Sequence, residues 1–362
     1  MFVHATGGRL LALRADLGGE TASVVEEIDP FDLSVLRSSG PLPLGPFWPG
    51  GLAALADGSC VVVQGRHAHR LSADLRPEVR RALPHEAAYN SFVVLDDGTI
   101  ATKDLRRPGE PASTLSMLDP VTLEDRAGPF ELPEPSVARL SASRDEVVVV
   151  GVSALHRFRW DPQRGVVEPC AEPLVYVTRK DQSFGWDPVV TGTHVWWMDN
   201  GDHRFQQGLT MLGNGVASGP VSLWRAVLDG GQLASVQITG APGGAITNPP
   251  LIDESRGVAL AFDSANGVLA AFDTDTLSMR WRADLSTAQH LVLFADTGEV
   301  IANHFEPGAG DSLVVVSIDT GEVRCRAPIG SPAQSVVFCA PGVHRDAYYV
   351  SLSTLARVEF GD

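Results

Sequence analysis

Residues 258–284 read VALAFDSANGVLAAFDTDTLSMRWRAD, two apolar β-rich runs followed at Asp273 by a turn and a third short apolar run. The same Asp turn recurs along the chain at Asp29 (DPFDLSVL), Asp74 (DLRPEV), Asp119 (DPVTLE), Asp161 (DPQRGVV), Asp229 (DGGQLASV) and Asp319 (DTGEVRC). From Asp29 to Asp319 the intervals are 45, 45, 42, 68, 44 and 46 residues. A period of about 40 to 50 residues carried by short strands is the signature of a β-propeller. The one long interval marks an insertion.

A second register supports the first. Tight Gly turns at Gly8, Gly58, Gly98, Gly192, Gly257 and Gly298 each precede a β-rich run, such as SCVVVQG, TIATKD, THVWWM or EVIANHF. Asp-Gly is a favoured hairpin pair because both central residues take positive φ. Arg144 and Asp145 occupy the matching place in the fourth unit. Each unit therefore reads as strand A, Gly turn, strand B, variable loop, strand C, Asp turn, strand D. Seven units are complete and an eighth is partial (SVVFCAP, DAYYVSLS, TLARVEF). The expectation is an all-β chain, residues 1–362 forming one propeller of four-stranded antiparallel blades, with eight blades first and seven as the alternative.

The turn D-x-x-T/x-G/L with Trp or an apolar residue behind it, as in DTDTLSMRW and DTGEVRC, resembles the blade motif of the quinoprotein-alcohol-dehydrogenase-like (PQQ-like repeat) propeller superfamily. The resemblance covers most of the chain and implies the fold. Quinone-dependent members carry adjacent cysteines and a secretory signal; here Cys60, Cys170, Cys325 and Cys339 lie far apart and read as buried thiols. No quinone cofactor is expected.

With 28 Lys plus Arg against 44 Asp plus Glu, the formal charge is -16, which repels a phosphate backbone. Nucleic acid is excluded as a partner on that ground. No apolar run approaches the roughly 18 to 20 residues of a membrane helix. No signal-peptide core is legible either, so the expected location is the cytoplasm.

A–B and C–D turns leave a propeller on one face, B–C and D–A loops on the other. The second set carries the unusual chemistry: the loop RKDQSFGWD (179–187) with Trp186 and Asp187, and an insertion at about 198–220 opening MDNGDHRF. An insertion of that length reads as a lid or binding loop, more mobile than the blades. Lys103, Asp104, His290 and His203 are the candidate acid/base groups, since imidazole, carboxylate and amine move protons. Asn90, Tyr89, Trp186, Asp187, Asn248 and His304 are candidate ligand contacts. Asn90 and Asn248 both stand at strand A entrances, as polar ligands do in metal-dependent propeller lactonases. Asp199, Asn200 and Asp202 offer oxygens to Ca²⁺ or another divalent cation, though Asp-Asn-Gly is also an ordinary turn former. No nucleophile elbow, H-E-x-x-H, Walker loop or dinucleotide fingerprint is present. The functional expectation is a small-molecule enzyme of hydrolase, lyase or isomerase type. The alternative is a non-catalytic propeller binding a ligand or a protein partner.

Overall fold

Each repeat folds as an antiparallel meander of four strands in chain order. The computed structural model describes residues 2–6, 8–16, 22–46, 50–205, 213–285, 291–332, 340–341, 346–351 and 354–359, and every regular element among them is a strand. They fall into two compact units, one running to Pro173 and one from Leu174. The first unit holds four meanders. Its third, which positions the candidate site, is Tyr89–Val94, Ile100–Asp104, Thr114–Leu118 and Phe130–Glu131. The second unit begins with Val189–Val190, His194–Met198, Ser222–Val227 and Leu233–Gln237, and ends with a three-stranded sheet, Ala340–Pro341, Asp346–Val350 and Leu355–Glu359. Such meanders, packed face to face on their neighbours, are the blades of a β-propeller.

Strands B and C are the buried strands of each meander. In the third meander Ile100–Asp104 and Thr114–Leu118 are buried at every position, because neighbouring sheets cover both faces. Strands D are exposed: in Pro77–Ala82 no residue is fully buried. Between meanders lie the cores. Val61, Val63 and Ala68 of the second pack on Ile100, Leu118 and Leu123 of the third. Each such Val, Leu or Ile side chain contributes about 1.5–3 kcal/mol on burial.

The Asp turns have a common geometry in four repeats. Asp29, Asp119, Asp161 and Asp273 accept at backbone O the N–H of the residue four positions on, and at Oδ1 the N–H groups two and three positions on. That fourth position is left-handed: Leu33, Leu123 and Leu277 have φ of 62°, 56° and 58°, and Gly165 has 64°. A left-handed non-glycine residue costs roughly 1–2 kcal/mol. Leu123 and Leu277 offset it by plugging the cores against the preceding meander. Asp74, Asp229 and Asp319 sit inside their turns instead. In the seventh repeat Gly321 N–H bonds Ser317 O, so Ser317 stands where Asp273 stands in the sixth.

Trp281, behind the turn in DTDTLSMRW, donates Nε1–H to Ile318 O at 2.6 Å. Its ring lies where a Cβ on Gly321 would be, 2.5 Å away. The cysteines divide differently from the expectation of buried thiols. Cys60 is buried, and burial pushes its thiol up to about 11, but Cys170 is half-buried and Cys325 exposed because it lies on a strand D. Cys339 lies outside the described residues.

Candidate functional site

Asp104 ends strand B of the third meander with its side chain wholly buried. Oδ1 accepts the N–H of Thr114, the first residue of strand C, at 2.6 Å. Oδ2 accepts Arg106 Nε at 2.7 Å and faces His85 Nδ1 at 3.0 Å. An ionised carboxylate only accepts, so Nδ1 of a neutral His85 carries the proton and Nε2 keeps its lone pair. His85 belongs to the loop entering strand A. Its own N–H bonds the hydroxyl of Tyr89 at 3.3 Å, which is fully buried and, by that burial, pushed up to about 12. Loop, strand A and strand B thus hold one imidazole.

Part of this arrangement is structural. A carboxylate caps the start of strand C elsewhere too: Asp199 on Ser222 N–H at 2.6 Å, Glu134 on Ala154 N–H at 2.9 Å, Asp311 on Ser312 N–H at 3.0 Å. Glu134 even holds an imidazole, His156 at 2.7 Å, but that histidine is buried. His85 differs, with 41% of its side chain exposed. It lines a cavity of 440 Å³ with Arg106, Thr114, Glu131 and the apolar walls Pro111, Ala112 and Pro129. Arg106 spends Nε on Asp104, which leaves its Nη groups to face a ligand. An oriented base beside a guanidinium can take a proton and hold the negative charge that results.

The other sequence candidates are placed as follows. Lys103 is buried and donates Nζ–H to Ser136 O at 2.9 Å. Asn90 is buried one residue beyond Tyr89. These share the first unit with Asp104. In the second unit Asp199 also accepts Gln182 Nε2 at 2.8 Å and Trp224 Nε1 at 3.0 Å; burial pushes it up to about 6. Asn200, with φ 59°, accepts Ser183 N–H and donates to Gly219 O and Pro220 O. Trp186 Nε1–H bonds Gly201 O at 2.9 Å, and Asp202 N–H bonds Ser183 Oγ at 3.2 Å. The insertion and the 179–187 loop therefore brace each other, and the insertion carries a small hairpin, His203–Phe205 with Gly213–Gly215. The side-chain oxygens of Asp199 and Asn200 are engaged by protein donors, and among the described residues no group of three or more His, Cys, Asp or Glu is placed to hold a metal. Asp187 is half-buried. His304 is buried with Nε2 2.7 Å from Glu306. Asn248 is buried with both side-chain polar atoms unpartnered. His290 and the side chain of His203 lie outside the described residues. His85 was not among the sequence candidates; LPHEAA carries no motif, and its one signal is its place in a D–A loop beside Asp104.

No family model matches the chain, and no curated protein resembles it in sequence. Solved structures do resemble it. A virginiamycin B lyase from Staphylococcus aureus is 10% identical, with a TM-score of 0.56 over 83% of this chain and 90% of that one. A streptogramin B lyase is 12% identical, with a TM-score of 0.53 over 94% of each chain. A quinohemoprotein alcohol dehydrogenase from Comamonas testosteroni is 11% identical, with a TM-score of 0.64 over 96% of this chain and 69% of that one. At these identities the likeness is one of fold: the chain is a β-propeller, and its resemblance to the quinoprotein group goes no further than that.

Proposed function

We propose that this propeller is a small-molecule enzyme in which His85 moves a proton and Arg106 holds the developing negative charge. The observation that carries the reading is the imidazole oriented by buried Asp104 and opening on a cavity. Nε2 takes a proton from carbon or from water. When carbon gives it up, the C–H electron pair moves toward a neighbouring carbonyl oxygen, where the Nη groups of Arg106 stabilise it. Loss of a leaving group then makes the reaction an elimination, return of the proton an isomerisation, and attack by deprotonated water a hydrolysis. The two lyases among the similar structures support trying elimination first.

The test is a panel of carboxylate-bearing eliminable, racemisable and hydrolysable compounds assayed with wild type, His85→Asn and Arg106→Gln. His85→Asn should lose about 10² to 10⁴-fold in turnover without losing thermal stability. Arg106→Gln should raise KM and lower kcat together. Turnover indifferent to His85, or absent from the wild type across the panel, refutes the proposal. A second reading, docking of a protein partner, draws on the outer edge of the first meander. There Val35 and Leu36 are 55% and 54% exposed beside Phe31 at 61%.

A further inference from the structure

The cavity that His85 lines carries a charge that proton transfer does not use. Glu131, in strand D of the third meander, is the register partner of Thr114, whose N–H bonds Asp104 Oδ1. Direct cross-strand partners project side by side from one face of a sheet. Glu131 is exposed, and its carboxylate has no ion pair or hydrogen bond among the described residues. Arg106 makes its ion pair with Asp104 through Nε at 2.7 Å. A guanidinium and a carboxylate therefore line one cavity without pairing to each other.

That pattern selects the ligand. A ligand carboxylate meets the Nη groups of Arg106 through charge-assisted hydrogen bonds. With no other charge on the ligand it is also repelled by Glu131 and by a chain of formal charge -16. An ammonium group on the same molecule turns the Glu131 term into attraction and cancels the ligand's net charge. Pro111, Ala112 and Pro129 offer apolar surface to a side chain, and 440 Å³ lies in the range of small-molecule sites. We propose that this cavity takes a free α-amino acid with an apolar side chain, its carboxylate on Arg106 and its ammonium on Glu131. The proposal rests on the reading of His85 as the base, because the carbon between the two charged groups carries the proton to be taken.

The probes share one apolar body: phenylalanine carries both charges, 3-phenylpropanoate the carboxylate alone and phenethylamine the ammonium alone. Titrated into the full chain by calorimetry and ligand-observed NMR, phenylalanine should bind about fivefold tighter than either, a margin set by the exposure of Glu131. Glu131→Gln should bring phenylalanine to the affinity of 3-phenylpropanoate. Its melting temperature should not change, because the side chain is exposed. No phenylalanine binding to the wild type, equal binding of phenylalanine and either single-charge probe, or an undiminished preference in Glu131→Gln overturns the proposal. Binding is read without turnover, so the two readings fail separately. The preference without any turnover that depends on His85 refutes the base and upholds the amino-acid site; such turnover without the preference refutes the amino-acid site alone.

Discussion

Asp104→Asn separates the catalytic from the capping role of the carboxylate. The amide can keep Oδ1 on Thr114 N–H, but its Nδ2 must then lie where Oδ2 accepts Arg106 Nε at 2.7 Å and His85 Nδ1 at 3.0 Å. Two charge-assisted bonds are lost, each of roughly 1.5–3 kcal/mol when well buried. Arg106 and His85 are 22% and 41% exposed and regain water, so the net cost should fall to about 1–3 kcal/mol. The sharper consequence is tautomeric. The Nδ2–H of the introduced amide would donate to His85 Nδ1, moving the ring proton to Nε2 and removing the lone pair that faces the cavity. Nitrogen-15 NMR of histidine-labelled protein in mildly alkaline buffer reads the tautomer without any substrate, and denaturant midpoints read the stability. An Nε2–H tautomer already dominant in the wild type, or no tautomer change in the variant, would refute the dyad.

Asp119→Ala should cost about 0.5–2 kcal/mol by releasing the amides of Val121 and Thr122, whereas Asp319→Ala, exposed and inside its turn, should stay within about 0.5 kcal/mol; chemical denaturation compares them. Asp199 has its folded-state value raised from 3.8 to about 6 by burial, so its neutral form is favoured in the folded state. Stability should therefore fall as pH rises from about 4 to about 6, by up to ~3 kcal/mol, and Asp199→Asn should flatten that slope in urea titrations. Gly230→Ala, at φ 104° with open space around it, should cost backbone strain alone, about 1–3 kcal/mol. Gly321→Ala adds a clash with the Trp281 ring and should melt lower still; equal melting temperatures would contradict the packing described.

The fold was legible because the turn chemistry repeats: an Asp that caps two amides leaves a period of about 45 residues in the sequence. The register was less legible, since Asp74, Asp229 and Asp319 keep the period while sitting inside their turns. The site was half legible. Strand alternation could not show that Lys103 is buried on a backbone carbonyl, nor that Asp104 turns to a histidine 19 residues upstream. His85 gave no pattern because what marks it is exposure beside a buried carboxylate, a property of packing and not of spacing.

The left-handed turn position also bears on modularity. Where that residue is leucine, as at Leu123 and Leu277, a repeat seals the joint with its predecessor using its own side chain. Where it is Gly321, the predecessor seals the joint instead, with Trp281. These joints thus follow two coupling standards. A recombinant that moved one repeat without the neighbour completing its seal would pair leucine with tryptophan, or glycine with nothing, so repeats of this protein are transferable across joints of one kind and incompatible across the other.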